Sequence, residues 1–123
     1  MAETREGVIL NVSSMSAFAP LTRIPGYSAA KAGMHGFTKA VAQETIYKNI
    51  TVNTISPGYV ETEMTRAIAP EIMEAIIKQI PAGRMGTPEE VARVVTFLAS
   101  PAASLVTGIN LVADNGFTKR VQL

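Results

Sequence analysis

The sequence contains no cysteine and no tryptophan, and its 123 residues include a single histidine, His35. The absence of cysteine excludes disulfide bonds, cysteine-ligated zinc and thiol catalysis. One histidine is too few for a histidine-rich metal site. The composition therefore predicts no metal centre.

Net charge and long apolar runs are also scarce. Eleven Lys and Arg residues against ten Asp and Glu residues leave a formal net charge of +1, which predicts no general attraction to nucleic acid or anionic lipid. No apolar run approaches the roughly 18 residues of a membrane span. The first residues are polar and unlike a signal peptide. These features predict a cytoplasmic protein that binds neither membranes nor nucleic acid.

The residues that are present predict one small folded domain. Hydrophobic residues make up 47% of the chain and charged residues 17%, proportions typical of a chain that folds. Short runs rich in β-branched residues predict strands at 7–12, 50–55 and 108–113. The first run is almost continuously apolar, which predicts a strand buried on both faces of a parallel sheet.

Helices are predicted between these strands. The first covers about 27–47, and a weaker helical stretch interrupted by Pro70 covers 61–80. Another begins after Thr87, the predicted N-cap, with Pro88 at the first helical position and Glu90 as the acid of a capping box. Apolar residues at helical spacing predict the buried face of each helix. They are Ala30, Met34, Phe37 and Val41, then Ile72, Ile76, Ile77 and Ile80, then Val91, Val94, Val95 and Leu98. The alternation predicts an α/β fold with parallel strands and right-handed crossovers.

Tyr27 and Lys31 are four residues apart on the first predicted helix and therefore share one face. Ammonium charge near a phenol favours the phenolate, and the helix dipole favours negative charge in the first turn. Tyr27 is therefore a candidate proton donor and acceptor. The alternative is an exposed Tyr–Lys pair on an ordinary helix. His35, one turn further, is predicted to be structural or solvent-facing.

Further polar and backbone groups follow the carboxyl ends of the predicted strands, where ligands bind in open α/β sheets. Ser14 follows the first strand and could hydrogen-bond a substrate oxygen, or it could cap the loop. Pro57 and Gly58 end the second strand, with Val60 and Thr62 just beyond. The alternative for Pro57 and Gly58 is a turn that ends the strand and binds no ligand.

Five motifs in this order resemble the short-chain dehydrogenase/reductase family, and together they span about residues 7–118. They are Asn11-Val12-Ser13-Ser14, Tyr27-Ser28-Ala29-Ala30-Lys31, the stretch 52–62 around Pro57-Gly58, the stretch 83–92 and the stretch 107–116. The resemblance implies an NAD(P)-dependent oxidoreductase acting on a carbonyl or secondary alcohol, with the choice between NAD and NADP open.

The resemblance also implies residue roles. Tyr27 would be the general acid and base, Ser14 would orient the reacting carbonyl, and Lys31 would lower the tyrosine pKa and bind the nicotinamide ribose. The implied cofactor-binding residues are Tyr27, Lys31, Pro57, Gly58, Val60 and Thr62. The segment from about 64 to 80 corresponds to the family's mobile lid over the substrate.

Two substrate classes stay open within the family. The motifs at 55–60 and 80–86 look most like those of 3-oxoacyl thioester reductases, which act on acetoacetyl-CoA or a 3-oxoacyl carrier protein. The stretch from Ser14 to Tyr27 looks more like that of sugar-acid or polyol dehydrogenases.

The sequence departs from the family pattern by what it lacks. It has no glycine-rich turn of the kind that holds the cofactor pyrophosphate. The family's catalytic asparagine has no match, because Asn11 lies inside the first predicted strand. The resemblance therefore implies a single partial domain over 1–123, the C-terminal half of a Rossmann-like, doubly wound sheet with about three strands. Such a half predicts an exposed apolar patch and an unpaired edge, and hence a homo-oligomer or a complementary N-terminal half.

Two hypotheses about function follow. In one, the chain is a truncated catalytic copy or one half of a split enzyme. In the other, it is a non-catalytic fragment that only folds or oligomerises.

Overall fold

The structure, a computed structural model, describes residues 1, 3–4, 6–19 and 21–119. Its helices and strands alternate along the chain. They are β1 (Gly7–Val12), α1 (Pro25–Thr45), β2 (Ile50–Pro57), α2 (Glu63–Arg66), α3 (Pro70–Gln79), α4 (Pro88–Ala99) and β3 (Asn110–Ala113). The predicted order of elements is confirmed, with the stretch around Pro70 divided into two helices and β3 beginning two residues later than predicted.

The three strands form one parallel sheet in the order β1-β2-β3. Val12 is paired in register with Ile55, and Pro57 with Ala113. All three strands therefore end at the same edge of the sheet, which confirms the predicted α/β class with three parallel strands and helices.

The two neighbouring strands β1 and β2 differ in burial. Every residue of β2 from Ile50 to Ser56 is buried. The prediction that β1 is buried on both faces is wrong: its residues are half-buried, and Val12 is 51% exposed. The physical reason is its position, because β1 is an edge strand with a described neighbour on only one side.

The predicted buried stripe of α1 is wrong at two positions. Phe37 is 59% exposed and Ala30 is also exposed, whereas the buried residues are Ser28, Thr38 and Ala42. Polar pairing explains the difference, because Thr38 Oγ1 accepts a hydrogen bond from Asn11 of β1 at 2.9 Å and lies 2.6 Å from the Thr54 hydroxyl. The helix face that packs on the sheet is therefore partly polar, while Met34 and Val41 of the predicted stripe are half-buried and Val41 packs against the core.

Helices α3 and α4 match their predicted buried faces better than α1 does. Thr87 caps α4, and Glu90 completes the predicted capping box. Leu98 is buried and the other residues of the α4 stripe are half-buried. On α3 the expectation fails for Ile72, which is 57% exposed because Met73 occupies the inward position beside Ile76. Among the described residues, no helix is long and apolar enough to cross a membrane.

Candidate functional site at the carboxyl edge of the sheet

The carboxyl edge of the sheet brings together residues that are far apart in sequence. Ser13 and Ser14 follow β1, Pro57 ends β2, and Asp114 follows β3. Helix α1 also begins at this edge. The contact that shows this is a hydrogen bond from the Lys31 side-chain amino group to the Val12 carbonyl at 3.0 Å. Parallel strands therefore place the N-terminal turns of α1 beside the serines, as a ligand site at this edge requires.

The Ser14 hydroxyl can still donate one hydrogen bond. Its Oγ accepts hydrogen bonds from the backbone N–H of Ser16 at 3.2 Å and from the Ser16 hydroxyl at 3.0 Å, and so caps the short 3-10 turn Met15–Ala17. A hydroxyl has two acceptor positions and one proton to donate. Since both acceptor positions are filled, half-buried Ser14 is left as a hydrogen-bond donor.

Tyr27 and Lys31 share one face of α1, as predicted. The Lys31 Nζ lies 5.5 Å from the centroid of the Tyr27 ring, within cation–π range. Tyr27 is 48% exposed, and its hydroxyl has no partner among the described residues. Lys31 has three N–H donors and gives one to Val12. The pair therefore presents a free phenol and a partly free ammonium group, and Tyr27 makes no hydrogen bond to Ser14 within the described chain.

Gly58 is required by packing. A Cβ built on Gly58 would lie 2.7 Å from the Asp114 Cβ, and the Gly58 N–H donates to the Ala113 carbonyl at 3.0 Å. The Gly58 N–H is therefore used inside the sheet. Pro57 has no N–H, so neither residue of this pair has a free backbone donor.

Val60, which is half-buried and pairs with Gly86 in an isolated parallel bridge, and exposed Thr62 follow. The Val60 carbonyl accepts from the Thr65 hydroxyl at 3.1 Å, while the Val60 N–H has no acceptor in the described part of the chain. Thr62 caps α2, with its Oγ1 accepting from the Thr65 N–H at 3.3 Å. Val60 thus has a backbone donor free for a ligand, and Thr62 keeps its hydroxyl proton.

His35 is a residue whose surroundings the sequence did not indicate. Of the two predicted alternatives, structural or solvent-facing, the structure shows the structural one: the half-buried ring is held between Ser13, 2.9 Å from Nε2, and Asn110, 2.8 Å from Nδ1. Burial, with a smaller contribution from Lys39, lowers the pKa of His35 below 6.5. Its position four residues after Lys31 signals the shared helix face, but no local pattern signals Asn110.

The described residues contain no group of three or more His, Asp and Glu side chains that could hold a metal ion. A cleft of about 540 Å³ lies beside α2 and α3. It is lined by Glu61, Thr65, Arg66, Ile68, Pro70, Met73, Ile77, Gly83, Arg84 and Met85. Ser14, Tyr27 and Lys31 do not line this cleft, whereas Glu61 and Thr65 do, so it borders the carboxyl-edge site at Val60 and Thr62.

Comparison with known proteins places this arrangement in context. A family model described as enoyl-(acyl carrier protein) reductase matches residues 1–118. An acetoacetyl-CoA reductase of Shinella zoogloeoides is 50% identical over 117 residues, which are 94% of this chain and 48% of that protein. A 3-oxoacyl-[acyl-carrier-protein] reductase of Vibrio cholerae is 45% identical over 116 residues, 94% of this chain and 48% of that protein. The chain thus spans about half the length of these relatives.

Solved structures share the fold. A protein from Agrobacterium tumefaciens, described as a 2-deoxy-D-gluconate 3-dehydrogenase and solved with bound NADP, superposes with a TM-score of 0.91 at 41% identity; the match covers 97% of this chain and 50% of that one. A 3-oxoacyl-[acyl-carrier protein] reductase from Brucella melitensis superposes with a TM-score of 0.90 at 37% identity, covering 98% of this chain and 45% of that one.

Proposed function

The chain belongs to the short-chain dehydrogenase/reductase family of oxidoreductases, and on that premise we propose that it forms the catalytic part of an NAD(P)-dependent carbonyl reductase. The observation that supports this most is the set of unused groups at one edge of the sheet. Within the part of the chain that the structure describes, Ser14 has a free donor, Tyr27 has a free phenol, and Lys31 has spare ammonium donors.

These residues fit the nicotinamide end of the cofactor. Lys31 can donate to ribose hydroxyls, and the free Val60 N–H can donate to a carboxamide oxygen. Thr62 and the Pro57–Gly58 turn would border the nicotinamide ring. Gly58 would contribute by letting β2 pack closely against Asp114. When bound, the nicotinamide supplies the hydride for the carbonyl carbon.

The chain's own residues would manage the oxygen and its proton. Ser14 donates a hydrogen bond to the carbonyl oxygen and so holds it beside Tyr27. As the C–H bond forms, the Tyr27 O–H bond breaks and its proton passes to that oxygen, giving the alcohol. The Lys31 ammonium, 5.5 Å from the Tyr27 ring, favours the resulting phenolate by its positive charge. Solvent then returns a proton to Tyr27.

The phosphate end of the cofactor needs groups from elsewhere. The sequence contains no glycine-rich phosphate-binding turn, and the half-buried apolar strand β1 has a described neighbour on only one side. We therefore propose that the chain works as one part of a larger domain, completed by an N-terminal half, and within a homo-oligomer. The exposed apolar face of α1 with Phe37 favours such contacts.

The substrate we propose is a 3-oxoacyl thioester. Support comes from the relatives named as acetoacetyl-CoA and 3-oxoacyl carrier protein reductases, at 50% and 45% identity. A sugar acid is the second candidate, favoured by the 41% identity to the Agrobacterium protein.

The experiment compares the chain alone with the chain mixed with the N-terminal half of the Shinella relative. NADH and NADPH are titrated by nicotinamide fluorescence. Oxidation of each is followed with acetoacetyl-CoA or with the keto form of a sugar acid as the hydride acceptor, and the mass of each sample is measured by light scattering. Tyr27→Phe is expected to lower the turnover by roughly 10²- to 10⁴-fold. Tyr47→Phe, at a tyrosine that is 68% exposed and outside the site, is the matched control.

Each outcome separates the hypotheses. Turnover by the chain alone, abolished by Tyr27→Phe, supports an autonomous catalytic copy. Turnover in the mixture only supports the half-enzyme. No cofactor binding and no turnover in either sample would contradict the catalytic proposal and favour a non-catalytic fragment. Equal activity in Tyr27→Phe and Tyr47→Phe would contradict the role of Tyr27.

A further inference from the structure

A continuous chain of side-chain hydrogen bonds, here called the His35 relay, crosses the sheet below the candidate site. Asn110 Oδ1 accepts from the Ser56 hydroxyl at 2.9 Å, and Asn110 Nδ2 lies 2.8 Å from His35 Nδ1. On the other side of the ring, His35 Nε2 lies 2.9 Å from Ser13 Oγ, and Ser13 Oγ donates to the backbone carbonyl of Lys31 at 2.9 Å. The relay therefore runs from β2 through β3 and α1 to the residue after β1.

The chemistry of the partners gives the relay one direction. The Asn110 oxygen accepts from Ser56, so its amide nitrogen faces the imidazole, and an amide nitrogen only donates. His35 Nδ1 is therefore the acceptor, and the neutral ring carries its proton on Nε2 and donates to Ser13. Ser13 in turn has its proton free for the Lys31 carbonyl. In this direction every member is paired, whereas the reverse would leave the Lys31 carbonyl without the Ser13 proton.

The surroundings of the ring favour this neutral form. Phe18 stacks on the imidazole with centroids 4.9 Å apart and planes at 29°, which restricts rotation of the ring. The strands β1, β2 and β3 and the turn Met15–Ala17 carry no charged residue. The charged group that acts on the ring is Lys39, on α1, and like charge disfavours a protonated imidazole.

The relay reaches the candidate site through Lys31. Its carbonyl is tied to Ser13, and its ammonium group donates to the Val12 carbonyl at 3.0 Å. Lys31 is therefore attached at two points to the two residues that precede Ser14. Removal of the imidazole donor would leave the Ser13 hydroxyl free to rotate away from Lys31.

We propose that His35 is a positioning residue: through Ser13 it fixes the first turns of α1, and hence Lys31 and Tyr27, relative to Ser14. The inference rests on the proposed function for its catalytic consequence, whereas the geometry of the relay is testable without turnover. Small displacements of positioned groups cost rate, and a shift of about 1 Å can lower the rate by roughly 100-fold.

The first test reads the imidazole directly. His35 is the only histidine in the sequence, so histidine labelled with ¹⁵N in the ring gives one set of NMR signals. The expected state at pH 7.5 is a neutral ring protonated on Nε2. Asn110→Asp replaces the donor facing Nδ1 with a carboxylate, so protonation of both nitrogens and a higher pKa of His35 are expected. A ring protonated on Nδ1, or a pKa that Asn110→Asp leaves unchanged, would overturn the relay.

The second test asks whether the relay positions Tyr27. Ring-¹³C tyrosine signals are recorded, with the Tyr27 signal assigned by its loss in Tyr27→Phe. His35→Leu is expected to shift the Tyr27 signal, and His35→Gln, whose amide can accept from Asn110 and donate to Ser13, is expected to restore it. Thr38→Val is the matched control, because Thr38 is a buried polar residue of the same helix face that bonds Asn11 and Thr54 outside the relay.

The two tests separate failure of the inference from failure of the proposed function. If the enzyme turns over, His35→Leu is expected to lower kcat/KM by roughly 10- to 100-fold, with His35→Gln retaining most of it. If no sample turns over, the NMR signals still decide the positioning role. Equal shifts of the Tyr27 signal in His35→Leu and Thr38→Val would show a general packing effect and overturn the proposal. His35→Gln and Asn110→Asp keep the test available if His35→Leu does not fold.

Discussion

The close approach of β2 and β3 at their carboxyl ends leads to a sharp stability prediction for Gly58→Ala. The added Cβ would lie 2.7 Å from the Asp114 Cβ and 2.8 Å from its Cα. Real Cβ atoms do not approach other atoms this closely, so one backbone segment has to move. Because the contact involves the Asp114 main chain, rotation of a side chain cannot relieve it.

The magnitude follows from what holds Asp114 in place. Its carboxylate oxygens accept from the Gly116 N–H at 3.0 Å and the Thr118 N–H at 2.8 Å. Overpacking of a filled site costs about 1–3 kcal/mol, and a lost hydrogen bond to a charged group costs about 1.5–3 kcal/mol. Gly58→Ala is therefore expected to lower the free energy of unfolding by about 3 kcal/mol.

Urea unfolding followed by circular dichroism at fixed protein concentration measures this change. Gly33→Ala is the control, because apart from the backbone of helix α1 itself no described atom lies within 4 Å of the Cβ position of Gly33. Replacing a helical glycine by alanine is expected to stabilise the chain by about 0.5–1 kcal/mol, the opposite sign to Gly58→Ala. An unfolding midpoint for Gly58→Ala equal to that of the unchanged chain would refute the close packing of Gly58 on Asp114.

Two further predictions concern the start of α4. Thr87→Ala removes the Oγ1 that accepts from the Glu90 N–H at 3.2 Å, so a loss of about 1 kcal/mol in urea unfolding is expected, with Thr87→Ser retaining the cap. The hydrogen-bonded ion pair with Arg84, aided by Thr87, lowers the pKa of Glu90 from 4.5 to about 2. Its stabilising contribution is therefore full above about pH 4.5 and lost as the pH falls toward 2. Glu90→Gln is expected to show a shallower loss of stability across that range, and an identical pH profile would contradict this.

The sequence contained enough to predict most of the fold. The strand β1 is found at 7–12 as predicted, because a short β-branched run carries its own preference. The start of α4 was predictable for a similar reason, since Thr87, Pro88 and Glu90 all act within one turn. Asn115 in the turn after β3 has a φ of 54°, a left-handed conformation that asparagine tolerates.

The candidate site was predictable in part. The spacing of Tyr27 and Lys31 set their common helix face, because helical periodicity alone decides it. The roles assigned to these residues and to Ser14 came from the resemblance and stay predictions. The free donor on Ser14 could not be predicted, because it depends on where Ser16 lies in the 3-10 turn.

What the sequence by itself determined is local: the order of strands and helices, the cap of α4 and the spacing of Tyr27 and Lys31. The tertiary structure decided which face of α1 is buried, why Gly58 has no side chain, and how His35 is held. The physical reason is the distance along the chain between the partners. His35 and Asn110 are 75 residues apart, and Thr38 and Thr54 are 16 apart. No local pattern encodes such contacts, because they form only when the parallel strands assemble around α1.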